Sequence, residues 1–166
     1  MGKVLSSFSN GSPGAVSRAV DDVIISLKNA GETAVPFGAP VFIASGGAKG
    51  FDITSPQAFT AFLGFAVRIA DKTPDTYPEG QFSPVSAGEW KPGDVMEILV
   101  RGSIAIPCSQ SGQRGSPVYI RKSDGVLTTY AGSEGSTVKL ENVHIRQPWD
   151  SRCECAEAVV NERNIL

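Results

Sequence analysis

The side chains best suited to catalysis are few and lie far apart in the sequence. The chain has one histidine, His144, and three cysteines, Cys108, Cys153 and Cys155. A nucleophilic thiolate needs a base beside it, and Cys108 with His144 is the pairing that could provide one. His144 alternates with apolar neighbours in a run that predicts a strand, so its ring should face outward. No local signature of a cysteine enzyme surrounds either residue, and we expect no catalytic residues.

Metal binding is equally poorly supported by the spacing of the possible ligands. Cys153 and Cys155 enclose one residue, whereas zinc sites typically place about two to four residues between paired cysteines and add a second ligand pair. Neighbouring carboxylates such as Asp21 and Asp22 point to opposite faces of a strand and would not share one substrate. We therefore expect no metal, no cofactor and buried or half-buried thiols.

The glycine-rich loop at residues 46–50 invites comparison with a phosphate-binding loop. A P-loop needs a lysine after its last glycine, then serine or threonine, leading into a helix. Here Lys49 precedes Gly50, and Phe51 follows. The loop therefore predicts a plain β-turn.

The composition favours one domain made of many short strands. The chain has 166 residues with 18 glycines, 11 prolines and only 19% charged residues. The formal net charge is −2 and the basic residues are scattered singly, so we expect no nucleic-acid partner. No apolar run approaches the roughly 18 residues of a membrane span, and no signal-peptide pattern opens the chain. We expect no membrane partner and a cytoplasm-like compartment.

Strand patterns are clearest between residues 91 and 130. Residues 93–100 and 103–106 alternate in polarity on either side of Gly102, which predicts a bulge or sharp bend. Two apolar runs flank Asp124 and Gly125, a strong hairpin signal. Residues 58–70 are apolar at both alternating positions, which predicts a strand covered on both faces. Prolines before Val41 predict an edge strand there. The fold class predicted is all-β, a small β-barrel or β-sandwich.

Two segments lack these patterns and are the candidates for partner contact. Residues 1–20 are rich in serine and glycine with isolated apolar residues, which predicts an extended N-terminal arm beside a single β domain of residues 21–166. Residues 71–92 form a long loop with four prolines. Its aromatic residues suit a contact surface, or alternatively tuck back onto the loop's own domain. These aromatic residues are Tyr77, Phe82 and Trp90.

Several short motifs, taken in order, resemble the structural cement or head decoration proteins of tailed bacteriophages. They are VPFGAPV at residues 35–41, FLGFAV at 62–67, the proline-rich loop, the strand at 93–100 leading into Arg101-Gly102-Ser103-Ile104, and GSPVYI at 115–120 with its hairpin. The resemblance covers residues 30–146. Residues 149–166 have no counterpart in it.

The resemblance implies a non-enzymatic, β-tulip-like protein on the outside of an icosahedral capsid. Such a protein would bind major capsid proteins between capsomers, often as a dimer or trimer, and stabilise the head. The expected location is the virion, with the host cytoplasm during assembly. Another virion structural β module, in a tail tube, head-completion complex or fibre, is the alternative.

The resemblance carries no catalytic residues, so the contact residues are inferred from the irregular segments. A serine- and glycine-rich arm with sparse apolar anchors suits a segment that becomes ordered on a neighbour. The candidate capsid-binding residues are Val4, Leu5 and Phe8 on the arm, and Tyr77, Phe82 and Trp90 on the loop.

Overall fold

The computed structural model describes residues 10–54, 62–69, 88–109, 112–150 and 154–162, which form strands and no helix. This confirms the all-β prediction. The strands are β1 (Val16–Lys28), β2 (Val35–Pro36), β3 (Pro40–Ala44), β4 (Gly47–Gly50), β5 (Phe62–Ala66), β6 (Glu89–Trp90), β7 (Val95–Pro107), β8 (Pro117–Arg121), β9 (Leu127–Thr128), β10 (Thr137–Asp150) and β11 (Cys155–Val160).

Nine of these strands form one sheet, organised around β7. The order is β4-β3-β5-β7-β11-β10-β8-β9, and β1 pairs with β7 as well. All the ladders are antiparallel, and β2 pairs with β6 in a separate small sheet. Strand β7 can have three partners because it has 13 residues and most of them are buried. Strand β11, which belongs to the part of the chain without a counterpart in the resemblance, lies between β7 and β10.

The sheet is covered on both faces, and each face has its own core. Along β5, Phe62 and Phe65 enter the first core, whereas Leu63 and Ala66 enter the second. All five residues of β5 are buried, which confirms that both faces of this strand are covered. The rings of Phe62 and Phe65 lie edge to face with centroids 5.4 Å apart. Burial on both sides explains why the sequence here is apolar without alternation.

The sheet curls so that its two ends approach each other. The first core joins Phe42 of β3 to Leu127 of β9 and Leu140 of β10. Phe51, just after β4, lies against Gly125 in the β8–β9 hairpin, where a Cβ would come within 2.7 Å of its ring. Among the strands that the structure describes, no ladder joins β4 to β9. The fold is therefore a rolled, sandwich-like sheet and not a closed barrel.

The turn chemistry was predicted correctly, but the position of β3 was not. Strands β8 and β9 pair across the predicted hairpin, and the glycine-rich segment begins in the tight turn between β3 and β4, whereas its residues 47–50 form β4 itself. However, β3 lies between β4 and β5, so the prediction of an edge strand was wrong. Pro40 is tolerated because it is the first residue of the strand, where a missing N–H costs least.

Residues 10–20, within the predicted arm, lie on the sheet. The N–H of Gly14 donates to the carbonyl of Ala105 (2.8 Å), and the N–H of Ala105 donates to the carbonyl of Ala15 (2.9 Å). Strand β1 then begins at Val16. The rest of the predicted arm, residues 1–9, lies outside the described residues, as do residues 70–87 of the long loop.

Candidate partner-binding site

Five of the six predicted contact residues lie outside the described part of the chain. Their roles therefore stay predictions. The structure does describe the residues that flank both segments, and these flanking residues show where each segment leaves the sheet. The five residues are Val4, Leu5, Phe8, Tyr77 and Phe82.

Trp90 is the sixth predicted contact residue, and its indole ring is only 2% exposed. The ring lies in the second core, with its centroid 6.0 Å from that of Phe37 in an edge-to-face arrangement. Its Nε1 donates to the carbonyl of Val67 at 3.1 Å. In the isolated chain the ring therefore tucks back onto its own domain, the alternative that the sequence left open. A role for Trp90 in partner binding stays a prediction.

The flanking residues of both segments meet at one place, which we call the junction. The N–H of Arg68, before the loop, donates to the carbonyl of Gly14 at 2.8 Å. The N–H of Phe37 donates to the carbonyl of Gly88, after the loop, at 3.1 Å. A Cβ on Gly38 would lie 2.9 Å from the nitrogen of Gly14. The junction thus consists of Gly14, Phe37, Gly38, Arg68 and Gly88, and the loop leaves and re-enters the sheet there.

Asn10 holds the start of the described chain against β10 and β11. Its Nδ2 donates to the carbonyl of Pro148 at 2.7 Å and to that of Cys155 at 3.0 Å. Cys155 pairs with Pro107, and Pro107 Cδ lies 2.9 Å from where a Cβ on Gly38 would be. Asn10 therefore lies at the same end of the molecule as Gly38.

The junction also contains the positively charged guanidinium group of Arg68. The guanidinium of Arg68 lies 5.9 Å from the ring centroid of Phe37, at cation–π distance. Its Nη1 is buried and has no hydrogen-bond partner within the described residues. A buried donor without an acceptor is costly, so a carboxylate or carbonyl at this place would be stabilised.

A polar cleft of about 380 Å³ lies elsewhere on the sheet, around Gly102 of β7. Two carboxylates and two guanidinium groups line it, so its charges balance. Asp22 Oδ1 accepts a hydrogen bond from the N–H of Ser103 at 3.3 Å, and Arg146 Nη1 donates to Ser103 Oγ at 3.1 Å. The lining residues are Asp21, Asp22, Arg101, Gly102, Ser103, Arg146, Val159, Val160 and Asn161.

The residues considered for nucleophilic chemistry are separated by the sheet. Cys108 is buried in the first core together with Val143 and Ile145. His144 alternates with those two residues and faces away from that core, where its Nδ1 lies 3.0 Å from Nδ2 of Asn161. This confirms the predicted outward direction of the ring. Cys155 is also buried, whereas Cys153 lies outside the described residues.

Within the described ranges, no group of three or more histidine, cysteine, aspartate and glutamate side chains is arranged to hold a metal ion. The same ranges contain no helix with the length and apolarity needed to cross a membrane.

Comparison with known proteins places the chain among phage head components. The family model "Structural cement protein (E217 gp24/Pam3 gp6)" matches residues 3–159, a wider span than the motifs alone cover. The fold is similar to that of a chain in the solved structure "The capsid of Myoviridae Phage XM1", with a TM-score of 0.71 and 16% identity over 97% of this chain and 96% of that one. No curated protein sequence matches. At this identity the structural likeness shows a shared fold.

Proposed function

This chain belongs to the structural cement protein family, and from that premise we propose that it binds the outer surface of a phage head between capsomers. Its partner there would be the major capsid protein, and its effect would be to stabilise the capsid without catalysing a reaction. The observation that carries the proposal is the family match over residues 3–159, which includes both segments predicted to make contacts.

The junction supports contact through both segments at once. Gly14, Arg68 and Gly88 lie at the junction, so the segments attached to them could reach one neighbouring surface together. Two weak contacts that are tethered to one rigid body gain avidity, because the second binds at a high effective concentration. Contacts to two neighbouring capsomers would resist their separation for the same reason.

The proposed contact residues differ in how directly they would act. Val4, Leu5 and Phe8, and the loop residues Tyr77 and Phe82, would insert apolar side chains into the capsid surface. Trp90 would contribute indirectly, because its buried ring anchors the end of the loop. Arg68 adds a candidate polar contact at the junction.

A non-enzymatic role is consistent with how the polar groups are placed. The cleft around Gly102 of β7 balances two carboxylates against two guanidinium groups, and Ser103 Oγ there accepts a hydrogen bond from Arg146. Cys108 lies in the core and His144 faces away from it. We also propose that the protein is a homo-oligomer on the virion and is present in the host cytoplasm during assembly.

The proposal is tested by adding the purified protein to heads assembled without it. We expect saturable binding, at a copy number fixed by the icosahedral symmetry of the head, and a higher melting temperature of the capsid. Binding to tail tubes or fibres instead would favour the alternative virion role. Binding that never saturates, or that leaves capsid stability unchanged, would contradict a cement function.

A further inference from the structure

The backbone at Arg68 is held in place on both sides of the residue. Its N–H donates to the carbonyl of Gly14 (2.8 Å), and the N–H of the preceding residue, Val67, donates to the carbonyl of Glu97 (2.8 Å). Val67 is buried in the first core, and the following residue, Ile69, packs against the second core. The half-buried side chain of Arg68 therefore starts from a fixed point in the junction.

An aromatic ring positions the guanidinium group at the other end of this side chain. The group lies 5.9 Å from the ring centroid of Phe37. That ring is itself fully buried, and it lies edge to face with the ring of Trp90. The face of a phenyl ring attracts a cation but is not a strong hydrogen-bond acceptor. The N–H donors of Arg68 therefore still require acceptors.

The described residues do not provide those acceptors. Nη1 of Arg68 is buried without a hydrogen-bond partner among them, and neither Glu89 nor Glu97 forms an ion pair with the guanidinium group. Arg121 shows the contrast, since Asp124 accepts hydrogen bonds from both its Nε and its Nη2. A charged donor that is removed from water without an acceptor is costly. An acceptor from outside the chain would remove that cost.

On the premise of the proposed function, we propose that Arg68 binds an aspartate or glutamate side chain of the major capsid protein. A carboxylate suits this place better than a neutral carbonyl, because its two coplanar oxygens match the guanidinium fork and its charge offsets the cation. A single cation, in a chain with a net charge of −2, is too little to hold a nucleic-acid backbone. Protein is therefore the class of partner that the charge favours.

The placement of Arg68 would make this contact a strong one. Arginine is among the residue types that dominate the affinity of protein interfaces, above all where the contact is sheltered from water. Ordering a long side chain on binding normally costs entropy, and a side chain that is already held in place loses less. Here the fixed backbone and the ring of Phe37 order Arg68 before the partner arrives. The capsid surface facing the junction should accordingly carry one acidic side chain.

Removal of the cation tests the contact on heads assembled without this protein. Arg68→Gln should weaken binding about thirtyfold or more, because the capsid carboxylate is left sheltered from water without its cation. Lys139→Gln removes a cation from an exposed position of β10 and should bind as the wild type does. Wild-type affinity of Arg68→Gln would overturn the inference and leave the proposed function intact. Heads that bind neither the variants nor the wild type would overturn both.

A zero-length cross-link identifies the partner carboxylate, and it decides the question even where Arg68→Gln fails to fold. Arg68→Lys keeps a cation and introduces a primary amine. A water-soluble carbodiimide converts a carboxylate into an O-acylisourea. The amine attacks its carbonyl carbon, an amide bond forms, and the substituted urea leaves while the nitrogen loses a proton to solvent.

Mass spectrometry of the head-bound Arg68→Lys variant reads out the cross-link. Position 68 should be joined to an aspartate or glutamate of the major capsid protein, whereas Lys139 of the same molecules should form no cross-link to the head. A cross-link from position 68 only to a carboxylate of its own chain would overturn the inference. The absence of any cross-link from position 68 would do the same.

An exchange of the two charges separates a direct contact from a merely structural role. Arg68→Glu should weaken binding at least as much as Arg68→Gln, because two like charges then face each other. Replacing the cross-linked capsid carboxylate with arginine should restore binding of Arg68→Glu and weaken binding of the wild type. A capsid substitution that changes the binding of both proteins by the same factor would show that Arg68 does not face that carboxylate, and it would overturn the inference.

Discussion

The carboxylate of Asp22 occupies the space that any side chain at position 102 would need. A Cβ on Gly102 would overlap Asp22 Oδ1, which accepts a hydrogen bond from the next residue, Ser103, at 3.3 Å. The ladder is irregular here, because β1 advances five residues from Arg18 to Val23 while β7 moves two, from Ser103 to Arg101. The side chain of Asp22 thus supplies the acceptor for Ser103 that the interrupted ladder lacks.

The first prediction concerns Gly102. Gly102→Ala should lower the free energy of unfolding by about 3 kcal/mol, because a Cβ meets Asp22 and because the φ of 123° is unfavourable for alanine. Gly46→Ala is the matched control, since Gly46 also has a positive φ but open space around it, and should cost about 1 kcal/mol. Chemical denaturation measures both. Equal losses of unfolding free energy in the two variants would show that the Asp22 side chain can move aside without a free-energy cost.

A second prediction concerns Trp90. The sequence named Trp90 as a candidate capsid contact and left open that its ring tucks back onto the domain. Because the ring is buried, Trp90→Ala should lose about 3–5 kcal/mol of stability. Trp90→Phe keeps most of the packing but leaves the carbonyl of Val67 without its donor, for a loss of about 1–2 kcal/mol. A stable Trp90→Ala variant that fails to bind heads would instead indicate that the ring contacts the capsid directly.

The third prediction is a pH dependence in the β8–β9 hairpin. Hydrogen bonds from Arg121 Nε, at 2.9 and 3.0 Å, hold the pKa of Asp124 below its ordinary value of 3.8. The unfolded chain then binds this proton more tightly than the folded one. The contribution of the pair to stability is therefore present above about pH 3.8 and is lost as the pH falls through the lower folded-state pKa. Since both groups are exposed, that contribution is small.

A carboxyl NMR titration measures this effect directly. Arg121→Gln should raise the pKa of Asp124 towards its ordinary value, because the donor and the positive charge are both lost. Lys91→Gln, which removes an exposed cation from the turn before β7, should leave the midpoint where it was. An unchanged midpoint in the Arg121 variant would refute the assigned cause.

The last prediction separates the two parts of the N-terminal segment. Deleting residues 1–9 should leave melting unchanged and weaken binding to heads at least tenfold, about 1.4 kcal/mol. Deleting residues 1–15 should also destabilise the domain, because it removes the backbone hydrogen bonds of Gly14 and Ala15 to Ala105 and Arg68. It also removes the side-chain hydrogen bonds that Asn10 donates to the carbonyls of Pro148 and Cys155. Full head binding by the shorter deletion would rule out the arm as a contact.

Much of the secondary structure follows from local chemistry. The run Phe62–Ala66 is apolar at every pleat position except its glycine, which requires a covered strand whatever its neighbours are. Asp124 and Gly125 favour a tight hairpin because a glycine tolerates positive φ and the aspartate bonds its own turn. The outward ring of His144 follows from the two-residue period of a strand. Each of these features depends on residues close together in the chain.

The features that sequence reasoning missed depend on residues far apart in the chain. Asp22 and Ser103 are 81 positions apart, and Trp90 lies 23 positions from the carbonyl that accepts its N–H. Local patterns do not show which acceptor a buried indole will find, or that β3 will be covered by β4. Nor do they show that Val16 and Arg18 will pair with β7. Those outcomes were set by the folded sheet, because burial and hydrogen-bond partners are properties of the assembled sheet and not of a segment.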